Sequence, residues 1–212
     1  MDRSYRFWNR MARRYASRPL DDEIAYLKKL GIMREHVDPF TDVLEIGCGT
    51  GSTALILGPH ARHYLAIDFS QSMIDIARDK AARSAIDNVS FQCTAFEQLD
   101  AQEETFDVII GQSVLHLMAN WRSSIAQMHS LLRPGGIFIS STACLGDFMP
   151  AIRYIAPAGR LLGLLPRLSV FSLEDLRAAL TDAGFTIDHE WQPGEKKGVF
   201  IVAFKAPELE EV

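Results

Sequence analysis

The chain of 212 residues has little cysteine, no long apolar run and no excess of positive charge. Its three cysteines are far apart and show no Cys-x-x-Cys spacing, which argues against a disulfide framework. We therefore expect Cys48, Cys93 and Cys144 to be reduced and packed, as in a cytoplasmic protein. No apolar run reaches the roughly 18 residues of a membrane span, so none is predicted. No signal peptide is visible either.

The charge balance is slightly acidic, with 22 basic and 27 acidic residues and a formal net charge of −5. This balance argues against a partner such as nucleic acid that is bound through bulk positive charge. A metal site is not predicted, because His60 and His63 lack a nearby acid or a third ligand in the sequence. Hydrophobic residues make up 48% of the chain, which is enough for a large core.

A glycine-rich turn follows the first strand-like run of the chain. The run Val-Leu-Glu-Ile at 43–46 favours a buried parallel strand, and Gly47, Gly49 and Gly51 allow the backbone to approach a ligand closely. A helix-capable stretch comes next, with free N–H groups at its start. A second apolar run ends at Asp68, where nucleoside-binding folds place the acid that binds ribose hydroxyls. Together these features predict a nucleoside-type ligand.

Strand-like and helix-period segments alternate through most of the chain. Strands are predicted at 43–46, 65–68, 88–93, 106–111, 137–142, 185–191 and 199–204. Ser70 and Ser172 precede helical segments as caps, and the helix at 121–132 is predicted to end at Arg133-Pro134-Gly135-Gly136. The alternation predicts a doubly wound parallel sheet with right-handed crossovers. The short link between the last two runs predicts an antiparallel hairpin at the sheet edge.

The N-terminal segment, residues 1–30, is predicted to be a helical lid. Residues 1–18 give a basic amphipathic helix, and a second helix at 21–30 is predicted to end at Gly31. The basic face consists of Arg3, Arg6, Arg10, Arg13 and Arg14. The other face consists of Tyr5, Trp8, Ala12 and Tyr15. We favour the interpretation that this helix is a lid that covers a bound ligand. The alternatives are a membrane-surface helix, an organellar transit segment and a plain solvated face.

Residues 146–171 interrupt the alternation between the fifth strand and the last helix. Prolines and glycines break an apolar run whose only charges from 148 to 173 are Arg153, Arg160 and Arg167. We predict an inserted lid, and the alternative is a helical hairpin that only packs on the sheet. Two basic and apolar segments favour a small amphipathic or anionic acceptor. Peripheral membrane contact is a further alternative, and the oligomeric state is left open.

Taken together, the motifs resemble those of class I S-adenosylmethionine-dependent methyltransferases over nearly the whole chain. The matching segments are 43–51, Asp68-Phe69-Ser70 with Met73, Phe106-Asp107-Val108-Ile109, Leu115-His116, Leu132-Arg133-Pro134-Gly135-Gly136 and the closing hairpin. The run Trp8–Tyr15 looks like the N-terminal lid of the branch that includes ubiquinone and menaquinone C-methyltransferases. The resemblance implies an α/β, Rossmann-like, doubly wound sheet of seven strands. That sheet is mostly parallel with a C-terminal antiparallel hairpin and helical lids, in a single domain of residues 1–212.

The resemblance implies S-adenosylmethionine as the cofactor and gives roles to five positions around its methionine and ribose portion. Gly47, Gly49 and Gly51 are implied to line that portion. Glu45 is implied to lie beneath it and to orient the amino group directly or through water. Gln112, just after the fourth strand, is implied to face the methionine end.

Five further positions are implied to hold the adenosine. Asp68 is implied to bind the ribose hydroxyls, while Phe69 and Met73 flank the adenine ring. The backbone around Ala95 and Phe96 is implied to meet the adenine edge. For the two ring-flanking residues and Phe96, simple core packing is the alternative.

One position departs from the family pattern, and one side chain is a candidate catalytic base. Thr94 stands where the family often has an acid that contacts the adenine amino group, so this contact is weaker here. His116 follows the fourth strand at the carboxyl edge, and an ordinary pKa of about 6.5 suits a base. The alternative for His116 is a helix-start residue bonded to backbone. Glu97, Gln112 and Ser113 are lesser candidates.

Two other functions remain open from the sequence. A nicotinamide-dependent oxidoreductase is disfavoured, because Ser52 stands at the third glycine of the Gly-x-Gly-x-x-Gly pattern. A non-catalytic nucleoside-binding module of the same fold is the other alternative, since an intact binding motif does not require activity.

Overall fold

The computed structural model describes residues 4–19, 21–84 and 86–208, so Arg3 lies outside the described residues. The helices are α1 (Ser4–Ala16), α2 (Glu23–Glu35), α3 (Ser52–Leu57), α4 (Gln71–Ser84), α5 (Trp121–Leu131), α6 (Leu145–Phe148), α7 (Ile152–Leu161) and α8 (Leu173–Asp182). The strands are β1 (Asp42–Ile46), β2 (His63–Asp68), β3 (Val89–Cys93), β4 (Phe106–Gln112), β5 (Leu132–Thr142), β6 (Phe185–Trp191) and β7 (Val199–Lys205). Single 3₁₀ turns lie at Gly58–His60, Phe96–Gln98 and Leu115–Leu117.

The seven strands form one sheet in the order β3-β2-β1-β4-β5-β7-β6. The first five strands of the chain pair in parallel, while β7 runs antiparallel between β5 and β6. The predicted mostly parallel, doubly wound sheet with a closing hairpin is therefore confirmed. The strand order reverses between β1 and β4, and sheets of this kind bind ligands in the crevice at the carboxyl ends of those strands.

Two clusters of buried apolar side chains cover the two faces of the sheet. One face includes Ile125 of α5 and Leu176 of α8, and the other includes Met33 of α2 and Ile74 of α4. Neighbouring residues of β1 alternate between the clusters, because side chains in a strand point to opposite faces. Each fully buried leucine or isoleucine contributes about 1.5–3 kcal/mol. The edge of the sheet that carries the glycine turn is thus fixed by packing on both sides.

Two predicted boundaries are wrong. The second helix continues through Gly31 to Glu35, because the fully buried Met33 keeps the next turn packed against the core. The helix α5 does end just before Arg133, at Leu131, but the strand β5 begins at Leu132 and not at the predicted residue 137. Arg133 in that segment pairs with Asp107 at 2.8 Å, so ion pairing stabilises the extended backbone.

Two expectations about single side chains are also corrected. Cys48 and Cys144 are buried as predicted, but Cys93 is exposed, because it ends the edge strand β3. His63 does have a nearby acid: its Nδ1 lies 3.0 Å from Oδ1 of Asp42, since β1 and β2 pair these two residues. Within the described ranges no cluster of three His, Cys, Asp or Glu side chains suits a metal ion. Nor does any helix of those ranges have the length and apolarity needed to cross a membrane.

Candidate cofactor and active site

A cavity of about 690 Å³ lies at the carboxyl ends of the central strands. Its floor includes Gly47 after β1, Asp68 at the end of β2 and Gln112 at the end of β4. This is the crevice that the reversal of strand order between β1 and β4 creates. The volume falls in the usual range for a pocket that holds a small-molecule ligand.

Asp68 presents a fixed carboxylate to this cavity. Its Oδ2 accepts the backbone N–H of Gly49 at 3.0 Å, and its Oδ1 accepts the N–H of Ser70 at 2.8 Å. Burial raises the pKa of Asp68, while these two backbone hydrogen bonds lower it. Each carboxylate oxygen keeps capacity for a second donor. The pair of oxygens can therefore receive two neighbouring hydroxyls, such as those of a ribose.

The three glycines of the turn divide between two tasks. Gly47 and Gly49 line the cavity with φ of +67° and +53°, values that favour glycine. Gly51, which was implied to line the methionine and ribose portion, is not in the cavity lining. A Cβ at Gly51 would lie 2.9 Å from Ala77 and from the ring of Phe91. This glycine instead permits α3 to pack closely against α4 and β3.

Glu45 also lies outside the cavity lining, although a contact with the cofactor was implied. Ile46 lines the cavity, so its neighbour Glu45 points to the opposite face of β1. The Glu45 carboxyl accepts the Tyr64 hydroxyl at 3.0 Å and is only 2% exposed. Burial raises the pKa of Glu45 to about 8, so the group is neutral at pH 7. The structure therefore gives Glu45 a place in the core behind the glycine turn.

One wall of the cavity is apolar and suits a flat aromatic base. Four of the predicted adenine contacts line it: Phe69, Met73, Ala95 and Phe96. Thr94 lines the same wall, and its hydroxyl donates to the carbonyl of Ala95 at 3.3 Å. Glu97, in the next helical turn, also lines the cavity and brings an acid to this side. Position 94 carries no acid, but Glu97, three residues later, supplies a carboxyl group to the cavity lining.

His116 also lies in the lining of the cavity. Its Nδ1 is 3.1 Å from the hydroxyl oxygen of the buried Thr142, at the end of β5. Burial lowers the pKa of His116 to about 4, so the imidazole is neutral at pH 7. When Nδ1 carries the hydrogen and donates to Thr142, Nε2 is left as a proton acceptor. The site therefore contains a neutral, oriented candidate base.

The helix α1 lies across the cavity with its aromatic face inward. Tyr5, Trp8 and Tyr15 line the cavity, and the Trp8 and Tyr15 rings meet edge to face at 6.3 Å. The indole N–H of Trp8 is buried and has no partner among the residues that the structure describes. Asn9 holds the helix in place, because its Oδ1 accepts the Ser70 hydroxyl at 2.7 Å.

Sequence reasoning did not find how the inserted segment joins the site. The backbone N–H of Ser169 donates to the carbonyl of His116 at 2.7 Å, and the Ser169 hydroxyl donates to the carbonyl of Met118 at 2.6 Å. Residues 166–168 consequently line the cavity next to the His116 turn. No local pattern predicts such a contact, because it joins loops that are about fifty residues apart.

The floor below the candidate base also has a feature that the sequence did not reveal. Lys29 of α2 donates to the hydroxyl of Ser141 at 2.7 Å, and burial lowers the pKa of Lys29. The carbonyl of Ser141 accepts the N–H of Ser113, a residue with the unusual φ of +55°. Gln112 lines the cavity, with its amide nitrogen 3.1 Å from the sulfur of Met33.

Comparison with known proteins defines the class of this chain. A family model described as a methyltransferase domain matches residues 38–180, which is more than half of the chain. The chain therefore belongs to the methyltransferase domain family. This confirms the resemblance to class I S-adenosylmethionine-dependent methyltransferases.

Individual relatives agree with this class. The ubiquinone biosynthesis O-methyltransferase of Parvibaculum lavamentivorans is 32% identical over 168 residues, which cover 74% of this chain and 64% of that protein. The chain thus spans less than two thirds of this curated relative. The YcgJ protein of Bacillus subtilis has the same fold, with a TM-score of 0.71, 17% identity and coverage of 86% and 100%. An S-adenosylmethionine-dependent methyltransferase from Mesorhizobium loti has the same fold, with a TM-score of 0.71 and 19% identity. The match covers 84% of this chain and 96% of that protein.

The residues present fit S-adenosylmethionine. The carboxylate of Asp68 matches a vicinal diol, and the apolar wall matches an adenine ring. Gly47 and Gly49 carry no side chains, so a ligand can approach the backbone of the turn closely. The glycine pattern offers no pyrophosphate cradle of the dinucleotide type, because Ser52 replaces the third glycine.

Proposed function

We propose that this chain transfers the methyl group of S-adenosylmethionine to a small apolar or amphipathic acceptor. The observation that supports this most strongly is a single cavity that joins the fixed carboxylate of Asp68 to the neutral imidazole of His116. The first group suits a nucleoside cofactor, and the second suits an acceptor that must lose a proton. The proposal includes eight of the ten cofactor contacts that the resemblance implied. The other two residues, Glu45 and Gly51, lie outside the cavity lining.

When bound, S-adenosylmethionine supplies a methyl group on a sulfonium that is a good leaving group. The residues of the chain then have two tasks, which are to align the acceptor and to exclude water. The aromatic face of α1 and residues 166–168 close the cavity for the second task, which is the lid role proposed for segments 1–30 and 146–171. Nε2 of His116 receives the proton when the acceptor is a hydroxyl.

The acceptor end of the cavity is largely apolar. Leu117, Met118 and Leu168 line it, together with the indole of Trp8. A relative named ubiquinone biosynthesis O-methyltransferase supports an oxygen acceptor on an apolar molecule. Hydroxylated aromatic compounds with an apolar substituent are therefore the first acceptors to test.

A methyl-transfer screen tests the proposal. The full chain is incubated with methyl-labelled S-adenosylmethionine and with phenols, carboxylic acids and amines of matched size. We expect transfer to hydroxylated aromatic compounds, and we expect His116→Gln to lower kcat by about 10²–10³-fold at pH 7. The affinity of this variant for S-adenosylhomocysteine should be unchanged.

Two results would count against parts of the proposal. Full activity in His116→Gln would show that His116 is not the base. Tight binding of S-adenosylhomocysteine with no transfer to any acceptor would favour the non-catalytic binding module.

A further inference from the structure

The helix α7 presents an apolar face outward, which reverses the usual pattern of a surface helix. Its side chains Tyr154, Ile155 and Leu161 are 80%, 60% and 87% exposed, whereas Ala156 is buried against the protein. Tyr154 and Leu161 are seven residues apart, so they lie on the same side, two turns apart. Leu162 and Leu164 continue the exposed surface beyond the helix.

This exposure is concentrated in one place. Eleven large apolar side chains of the described chain are strongly exposed, and six of them lie within residues 149–164. Scattered single apolar residues are ordinary on a protein surface, but a contiguous group indicates a binding surface. The helix is only ten residues long, about 15 Å, so it suits a position in an interface and not a crossing.

Arginines surround this apolar face although the chain as a whole is acidic. A cavity of about 260 Å³ between α1 and α7 is lined by Arg6, Arg10 and Arg160, next to Leu161 and Leu162. Arg10 donates to the carbonyl of Gly163 and so joins α1 to the turn after α7. No acidic residue occurs between Asp2 and Asp21 or between Asp147 and Glu174. Guanidinium groups match phosphate oxygens, and leucine matches the acyl boundary beneath them.

We infer that α7, residues 161–164 and the basic side of α1 form a face that binds the surface of an anionic lipid bilayer. The face combines exposed leucines with arginines, and its described segments 4–19 and 148–173 contain no acid, which is complementary to phosphate headgroups above an acyl layer. The aromatic side of α1 takes no part, because it lines the main cavity.

The position of this face relative to the main cavity adds a consequence that rests on the proposed function. Ser4 lines both cavities, and its hydroxyl accepts the backbone N–H of Arg167 at 3.2 Å. The face thus adjoins the segment that closes the acceptor end. An apolar acceptor dissolved in the bilayer would enter the cavity from this side.

Vesicle sedimentation with the full chain tests the binding face. The vesicles contain phosphatidylcholine alone, or phosphatidylcholine with about one third phosphatidylglycerol. We expect sedimentation with the anionic vesicles only, and a loss of most binding in high salt, which screens exposed charges. Leu161→Ser/Leu164→Ser should weaken binding at least about tenfold, and Arg153→Gln about threefold to fivefold.

Matched controls separate this face from general stickiness. Ile24→Ser/Phe40→Ser removes two equally exposed apolar side chains elsewhere, and Arg83→Gln removes an exposed arginine of α4. Both controls should bind as the wild type does. The thermal shift with S-adenosylhomocysteine should be the same in all variants, which keeps this test independent of the proposed function.

Four outcomes of the vesicle experiment would overturn the inference. They are no sedimentation with either vesicle, equal sedimentation with both, equal loss in the control variants, or competition by free inorganic phosphate at millimolar concentration that shows a soluble anion site. A dimer in solution that Leu161→Ser/Leu164→Ser dissociates would assign the face to a second copy of this chain and would also overturn it.

Discussion

At the scale of single residues, two buried carboxyl groups lie on opposite sides of the glycine turn. Asp68 receives two backbone N–H groups and faces the cavity, so its charge has partners. Glu45 receives the Tyr64 hydroxyl and faces the core, where burial raises its pKa to about 8. The first group can serve a ligand, and the second makes the stability of the fold depend on pH.

The raised pKa of Glu45 predicts the direction of that dependence. Between about pH 5 and pH 8 the folded protein holds the Glu45 proton, while the unfolded chain has released it. The folded state is therefore favoured at low pH, and this contribution is lost as the pH rises through about 8. Glu45→Gln keeps an acceptor for Tyr64 and has no proton to lose.

Urea unfolding of both proteins at pH 5.5 and pH 8.5 measures the effect. We expect the free energy of unfolding of the wild type to fall relative to Glu45→Gln by about 2–4 kcal/mol between these pH values. Other titrating groups are common to both proteins and cancel in the difference. A difference that is constant with pH would show that Glu45 is ionised in the fold.

The sequence predicted residue types at the site better than it predicted where their side chains point. Asp68, Phe69 and Met73 all line the cavity, because Asp68 ends β2, Phe69 follows it and Met73 lies in the first turn of α4. Glu45 lies outside the cavity lining because strand alternation directs it to the other face of β1. Gly51 also lies outside the lining, and its small size permits close helix packing.

At the scale of elements, Asn9 attaches α1 to the start of α4 over the cavity. Asn9 accepts the Ser70 hydroxyl at 2.7 Å and the Ser72 N–H at 3.2 Å, so it caps α4 from outside that helix. The free N–H groups at a helix start favour such an acceptor. A bound cofactor beneath α1 would be retained in part by this attachment.

Loss of the Asn9 acceptor should therefore loosen α1. We expect Asn9→Ala to weaken binding of S-adenosylhomocysteine about threefold to tenfold, the value of one or two hydrogen bonds. Trypsin should also cut faster at Arg13 and Arg14, with less protection by the ligand. Asn9→Asp keeps the Oδ1 acceptor of both hydrogen bonds and should behave like the wild type. Equal cleavage in all three proteins would show that α1 does not move as a lid.

The boundaries of elements were predictable only where local chemistry sets them. Ser172 caps α8 in a capping box with Asp175, as its sequence signature indicated. The end of α2 was missed, because burial of Met33 outweighs the glycine at position 31. The outward apolar face of α7 was also missed. Apolar periodicity alone does not show which side of a helix meets the protein.

At the scale of the whole molecule, strand order determines where the chemistry can occur. The reversal between β1 and β4 brings the glycine turn, Asp68 and Gln112 to one edge of the sheet. The alternation of segments, which is repeated along the chain, predicted the parallel part of the sheet correctly, and the short link between the last two strands predicted the closing hairpin. Contacts between distant loops, such as Ser169 with His116, needed the folded structure.

The central claim is that this edge binds S-adenosylmethionine through Asp68, and thermal unfolding with added ligand tests it most directly. S-adenosylhomocysteine at one hundred times its Kd should raise the Tm of the wild type by about 5–10 °C, while NAD should give a much smaller shift. Asp68→Ala should lose the shift, each shift being taken from the Tm of the same variant without ligand. Asp188→Ala, which removes an exposed acid of β6, should retain it. A shift with NAD alone, or a full shift with S-adenosylhomocysteine in Asp68→Ala, would contradict the claim.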